Sequence, residues 1–186
     1  MSPSPIELPV EGLSDGIVRL RPIAEADIDA VTAACQDPEI ARYTTIPAPY
    51  ERHHAREWMS ASAAGIASGT DLGLLAVDAE TGRLLGSVGL HSLDPVSGRC
   101  SSGYWIAREA RGRGIAARAL RLLCGFAFDE LNVRRVELWI EPENAASRRV
   151  ADAVGFACEG RLRSFMVING ARRDMLMYSL LPADLR

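Results

Sequence analysis

Arg111-Gly112-Arg113-Gly114-Ile115-Ala116 decides the reading of this chain, because it joins a strand-like segment to the longest helical pattern in the sequence. Upstream, residues 102–107 (SGYWIA) read as a strand. Downstream, between 114 and 131, Ile115, Ala119, Leu122 and Phe126 form one apolar stripe, and Ala116, Leu120, Leu123, Ala127 and Leu131 form a second. A helix with so wide an apolar face has to be buried. Its first turn leaves N–H groups without intrahelical acceptors and carries partial positive charge. Glycines just ahead of that turn let a diphosphate approach the backbone without meeting a Cβ, and Arg108, Arg111 and Arg113 can add charge-assisted contacts. The segment is not a Walker loop, since GK[ST] is missing, and not GxGxxG, since Ala117 stands where the third glycine belongs.

Working outward, residues 17–23 (IVRLRPI) read as a strand and 25–35 as a helix, with Ile28, Val31 and Ala34 or Cys35 at helical spacing. A second helix is predicted over 52–67, with Trp58, Met59, Ala63 and Ile66 facing inward. Apolar runs at 71–77 and 84–90 flank Glu80-Thr81-Gly82-Arg83, the pattern of a hairpin. Residues 135–140 (RVELWI) alternate as a strand that Glu141-Pro142 ends. Residues 144–154 read as a short helix with Asn144 as N-cap and Gly155 as the left-handed residue after it. Two last strands, 157–168 and 173–181, flank Asn169-Gly170, a type I′ turn signal. The fold class is therefore α+β, of an α/β-type three-layer build, with a mixed sheet flanked by helices.

The chain has 186 residues, 48% hydrophobic and 24% charged, the balance of a globular protein. We expect residues 1–14 to be a flexible arm and 15–186 one domain. No apolar run is long enough for a bilayer, and the N-terminus has neither the basic start nor the apolar core of a secretory signal, so the expected compartment is the cytoplasm. Four scattered cysteines without a CxxC pair, and three histidines (His53, His54, His91) that include no pair at i, i+4 with an acidic partner, argue against a metal site or a disulfide framework. Cys124 and Cys158 sit in apolar patterns and read as core thiols rather than nucleophiles. All 21 basic residues are arginine: 7 face 14 acidic residues up to Ala107, and 14 face 10 from Arg108 onward. That asymmetry points to an anionic ligand on the C-terminal half, while a pI of 5.7 speaks against nucleic acid.

At this point the sequence resembles the GNAT acyltransferases. Their signature Q/R-x-x-G-x-G/A is filled by Arg111, Gly114 and Ala116. Gly103-Tyr104-Trp105-Ile106, Glu143-Asn144-Ala145-Ala146-Ser147, Gly155-Phe156 and Glu159-Gly160-Arg161-Leu162-Arg163 look like the branch of RimJ/RimL-type ribosomal-protein N-terminal acetyltransferases, a likeness reaching from about residue 17 to 181. The resemblance implies a mostly antiparallel twisted sheet splayed between its fourth and fifth strands. It implies acetyl-CoA as cosubstrate, with no metal. Backbone groups at Arg111, Gly112, Arg113, Gly114, Ile115 and Ala116 would hold the pyrophosphate. Trp105 and Ile106 would pair main chain with the pantetheine arm, and Asn144 would bond it from the other side. Ser147 would give a proton to the leaving thiolate, and Glu159 would act as base through water. Read without the resemblance, Asn144 is a helix cap and Glu159 a surface carboxylate beside Arg161. Two features depart from many family members: there is no Glu at 101–104 and no Tyr within 145–154.

The implied acceptor is a protein N-terminal α-amine, taken by direct attack in a ternary complex. The alternatives are a small-molecule amine (antibiotic, polyamine or amino acid), with succinyl-CoA as donor if Arg163 or Arg172 lines the acyl pocket, and a CoA-binding regulatory module without catalysis. Tyr43, Trp58, His91, Tyr104, Arg163 and Met177 are candidates for the acceptor pocket. No nucleic acid or membrane partner is expected, and the chain is read as a monomer or homodimer.

Overall fold

The apolar faces find their partners on one eight-stranded sheet. In the computed structural model, which describes residues 4–185, the first half contains β1 (Leu13–Ser14), β2 (Val18–Arg21), α1 (Ile28–Ala34), α2 (Pro38–Tyr43), α3 (Arg52–Ser68), β3 (Leu72–Asp78) and β4 (Leu84–Asp94). The second half adds β5 (Arg99–Ile106), α4 (Ile115–Asp129), β6 (Arg135–Ile140), α5 (Ala145–Val154), β7 (Ala157–Ile168) and β8 (Ala171–Leu180).

The strand order is β1-β2-β3-β4-β5-β6-β8-β7, and β5–β6 is the one parallel pair within it. A parallel neighbour needs a crossover, and α4 supplies it. Pairing between β5 and β6 is confined to Arg99↔Arg135, Cys100↔Val136 and Ser101↔Glu137. Past Ser101 the two strands part, while β5 stays paired to β4 as far as Ile106. This is the expected splay; the strands are numbered fifth and sixth because the two-residue β1 precedes the first predicted strand.

Strand alternation sorts side chains into two cores and hence three layers. Leu72, Leu74, Ala76, Val88 and Leu90 pack with Leu120 and Leu123 of α4 and Ala151 and Val154 of α5. Leu75 and Val77 face the other way, against Ile28, Val31 and Ala55 of α1 and α3. The caps are those predicted: the Asn144 side chain accepts from the Ser147 N–H at 3.0 Å, and Gly155 is left-handed at φ 109°. Asn169 and Gly170 have φ of 50° and 74°, as a type I′ turn demands.

Several expectations are corrected. The segment expected as a loose arm is docked where it is described: Ile6 is buried and its N–H donates to Ile66 O at 2.9 Å. On α3, Trp58, Met59 and Ile66 are half-buried and pack on the cores as expected, but Ala63 is exposed, and the buried residues are Ala55, Ser62 and Gly65. The reason is close approach: a Cβ on Gly65 would stand 2.8 Å from Asp71 Cβ, and one on Gly73 2.5 Å from Ser62 Oγ. Small residues therefore make the closest approach to β3, and Trp58, half-buried, packs beside them, its ring nitrogen 3.4 Å from where a Cβ on Gly73 would stand. Cys158 is exposed, whereas Cys124 is buried as expected. The helix α2 was not predicted, although Asp37-Pro38-Glu39 carries its signal, with Pro38 in the first turn and the Asp37 side chain accepting from Glu39 N–H at 3.0 Å. Among the described residues no helix is long and apolar enough to cross a membrane.

Leu120 of α4 is fully buried and Val96 is 88% exposed. Chemical denaturation should show Leu120→Ala losing about 2–5 kcal/mol, while Val96→Ala stays within about 0.5 kcal/mol of the parent.

Candidate active site

Gly112 and Gly114 both hold left-handed backbone, with φ of 72° and 74°, and no protein atom lies within 4 Å of where a Cβ would stand on either. Backbone conformation rather than crowding requires glycine there, and the open side is the one from which a ligand approaches. Along α4 the first helical bond is from the Arg118 N–H to Gly114 O at 3.1 Å. Among the described residues, the N–H groups of 112–117 have no hydrogen-bond acceptor. They form a continuous run of donors at the positive end of a 15-residue helix.

The Arg111 side chain turns back from this run. Its guanidinium donates to Ile106 O at 3.1 Å and pairs with Asp37 at 2.7 Å and Glu39 at 2.5 Å. Arg111 thus braces the loop against the end of β5 and against α2, and its own N–H donates to Arg108 O at 3.4 Å, so the free donors begin at Gly112. Arg113 is exposed.

Where β5 and β6 part, a cleft of about 1150 Å³ runs through the sheet, bounded by the 111–114 loop, α5, and the α2–α3 side. Of the residues assigned from the sequence, all but Arg113 and Glu159 line it. Asn144 presents its side-chain NH2 without a partner among the described residues, its oxygen being taken by the cap. The Ser147 hydroxyl lies 2.7 Å from the Tyr104 hydroxyl. Tyr104 is enclosed between β5 and α5, and that burial pushes its phenol up to about 12 against a smaller opposing pull from Ser147.

Glu159 is not brought to the cleft. Arg135 grips both its oxygens, at 2.8 and 2.6 Å, and Ser179 Oγ donates at 2.7 Å. These partners, Arg135 first, hold the carboxyl down at about 2. A carboxylate so stabilised is a weak base, and the surface salt-bridge reading fits its place on β7, with Arg135 rather than Arg161 as partner. Arg161 pairs with Asp174 instead.

Of the acceptor candidates, Tyr43, Trp58, His91 and Tyr104 line the cleft; Arg163 and Met177 do not. Sequence reasoning missed the clamp that sets this wall: Arg42 pairs with both oxygens of buried Glu141, at 2.9 and 3.1 Å, and Asn169 Nδ2 donates to Ala41 O at 2.8 Å. It also missed the contact of Tyr104 with Ser147, for which strand parity beside Trp105 was the available signal. Among the described residues, no three His, Cys, Asp or Glu side chains gather as a metal ion would require.

A splayed mixed sheet with a glycine-rich turn into the crossover helix defines a class of acyl-group transferases, and comparison with known proteins places the chain within it. Residues 18–157 match the family described as "Acetyltransferase (GNAT) domain". The chain belongs to the GNAT acetyltransferase family. It is 40% identical over 117 residues to YdaF of Bacillus subtilis (strain 168), provisionally named a ribosomal N-acetyltransferase, covering 63% of this chain and 62% of that protein. It is 30% identical over 95 residues to spermidine N(1)-acetyltransferase of Escherichia coli (strain K12), covering 51% of each. The chain thus spans less than two thirds of either relative. The structure of Mycobacterium smegmatis RimJ in complex with CoA-disulfide superposes with a TM-score of 0.84 over 94% of this chain and 86% of that one, at 24% identity, a likeness of fold.

The Glu159 clip makes a pH prediction. Its folded-state pKa, about 2, lies below the ordinary 4.5, so the stability it adds is present above about pH 4.5 and is lost as pH falls toward 2. Glu159→Gln should unfold at lower denaturant than the parent at pH 7, with the gap closing across that acid window. Turnover at pH 7 should be unchanged.

Proposed function

We propose that this chain transfers the acetyl group of acetyl-CoA to a primary amine, with a protein N-terminal α-amine as the favoured acceptor. The observation that carries the reading is the run of unpartnered N–H groups at 112–117, which opens into the same cleft as Asn144 and Ser147. Amide donors fixed at a helix start suit a diphosphate, and the gap beside β5 suits a slender arm laid along an unpaired strand edge. Acetyl-CoA supplies an acyl carbon already activated as a thioester.

The residues of the chain then have three tasks. Main-chain N–H near Ile106 polarises the thioester carbonyl. The Ser147 hydroxyl passes a proton to the sulfur as the carbon–sulfur bond breaks, and regains one from the proton that the acceptor nitrogen sheds on forming the amide. The amine itself must arrive neutral. An α-amino group has a reference pKa of about 7.7–8.0 against about 10.4 for lysine, so deprotonating it is easier by roughly 3 kcal/mol and water suffices as the acceptor of its proton. This agrees with a cleft from which Glu159 is absent.

Similarity to a ribosomal-type enzyme supports the protein acceptor, and similarity to a spermidine enzyme keeps a polyamine as the second reading. The succinyl variant loses its support, because Arg163 and Arg172 stand outside the cleft.

Release of free thiol from acetyl-CoA and succinyl-CoA, measured with peptides of differing first residue, polyamines and amino acids, tests this directly. Peptides with acetyl-CoA should react fastest, and a preference for spermidine over every peptide would replace the favoured acceptor. No acetyl-enzyme should form without acceptor. Gly114→Val, forcing a β-branched residue into φ 74°, should raise the KM for acetyl-CoA by about tenfold or more while the protein stays folded; an unchanged KM would reduce the loop to a plain turn.

A further inference from the structure

Ser147 is asked to hand a hydrogen to sulfur, yet a serine in the first turn of a helix has easier uses for it, since its hydroxyl can turn back onto nearby backbone. Something has to aim it. Among the described residues the one partner of Ser147 Oγ is the Tyr104 hydroxyl, at 2.7 Å. Both line the cleft, Tyr104 from β5 and Ser147 from α5. We propose that Tyr104 is a positioning residue of the leaving-group side: its hydroxyl donates to Ser147 Oγ and so directs the serine hydrogen toward the departing sulfur. The proposal rests on the reading of Ser147 given above.

The direction of that bond follows from the inventory of atoms. Each hydroxyl has one hydrogen and two lone pairs. If Ser147 donated to Tyr104, its hydrogen would be spent and none would face the sulfur. If Tyr104 donates, Ser147 Oγ gains an acceptor contact and keeps its hydrogen free. A phenol is the more acidic donor of the two, and burial keeps Tyr104 protonated through the neutral range, its phenol being pushed up to about 12. Tyr104 therefore stays a donor at every working pH. A chain of two hydroxyls ending at sulfur polarises along its length, so each bond strengthens the next as negative charge grows on the sulfur.

The backbone fixes the geometry from both ends. Ser147 N–H is locked to Asn144 by the cap, which sets the start of α5, and Tyr104 is held by β5 pairing to Val88 of β4. Its ring packs on the larger core, whereas the next residue, Trp105, packs on the smaller core across the sheet.

The test uses the full chain. Tyr104→Phe keeps the ring and removes only the hydroxyl, so packing and CoA affinity by calorimetry should be retained. With the best acceptor from the panel, kcat should fall about tenfold, the worth of one directed hydrogen bond, with KM for acetyl-CoA within about twofold. Ser147→Ala should be at least as slow, and the double variant no slower than Ser147→Ala alone, because Tyr104 acts only through the serine. A readout needing no acceptor is the ionisation of CoA thiol bound to the protein, followed by thiolate absorbance. It should occur at lower pH than for free CoA, and Tyr104→Phe should move it up by about one unit, a tenfold change in the equilibrium. Site-specific fluorotyrosine at 104, a stronger donor of nearly the same shape, should move it down. Unchanged kcat and thiol titration in Tyr104→Phe, or a further tenfold loss in the double variant, would overturn the proposal. Failure of the parent protein to bind CoA would instead remove the function on which it rests.

Discussion

Backbone amides in a folded chain have to be paired or left to solvent, and this chain leaves two sets open at one place. β5 loses its neighbour on one side after Ser101, and the first turn of α4 has no acceptors because no helix supplies them there. Both open sets border the same cleft. Continued pairing of β5 with β6 would have satisfied the strand edges and closed the sheet. The left-handed turn at Gly112 and Gly114 reverses the chain so that α4 starts where the gap begins. The unsatisfied groups remain accessible rather than sealed in, so they are inexpensive while solvated and available to a ligand with matching acceptors.

The far wall of the cleft is held differently. The six residues of α2 are too few to be stable as an isolated helix, and only Ile40 is buried. Polar links hold it instead: Arg111 to Asp37 and Glu39, Arg42 to Glu141, and Asn169 to Ala41 O. Glu141 is 5% exposed, so losing Arg42 would strand a buried carboxylate beside the more distant Arg173 at 3.9 Å, unlike the loss of a surface pair. Arg111 belongs to both halves, since its main chain forms the turn before α4 and its side chain braces α2. The donor loop and the acceptor wall are therefore mechanically continuous.

What was legible in the sequence follows the range of the interactions involved. The α4 stripe, the Asn144 cap, the Gly155 terminus and the Asn169-Gly170 turn are local, each fixed by a few neighbouring residues, and each appears as read. The splay was legible only through family resemblance, because nothing in the composition of β5 announces that its neighbour will leave after Ser101. The inward face of α3 was legible in part: Trp58, Met59 and Ile66 pack on the cores as read, but Ala63 is exposed, and close approach to Asp71 and Gly73 selects Gly65 and Ser62, whose small size gave no signal. Glu159 was misplaced for a related reason. Its neighbours along the strand say little, and Arg135 and Ser179, which claim it, arrive from β6 and β8. Side-chain partners from remote elements are what a linear reading cannot supply.

The cleft also bears on the proposed direct transfer against a covalent route. A covalent route needs a thiolate or an activated hydroxyl facing the acyl carbon. Cys35 borders the cleft, but burial pushes its thiol up to about 12, so it stays protonated and unreactive at neutral pH. Cys100 on β5 and Cys124 on α4 are buried in the larger core and raised in the same sense. Cys158 is exposed, on β7, and does not line the cleft. Ser147 pairs with a phenol that burial keeps neutral, so no base stands beside its hydroxyl to activate it as a nucleophile, in keeping with the donor role proposed for it. Trp58 of α3, His91 of β4 and Ser147 of α5 line one cleft, which in the proposed reaction would let the amine and the departing sulfur use different walls. The proposed attack and departure across a gap in a sheet need no intermediate carrier on the protein, and among the described residues no activated thiol or hydroxyl lines the cleft.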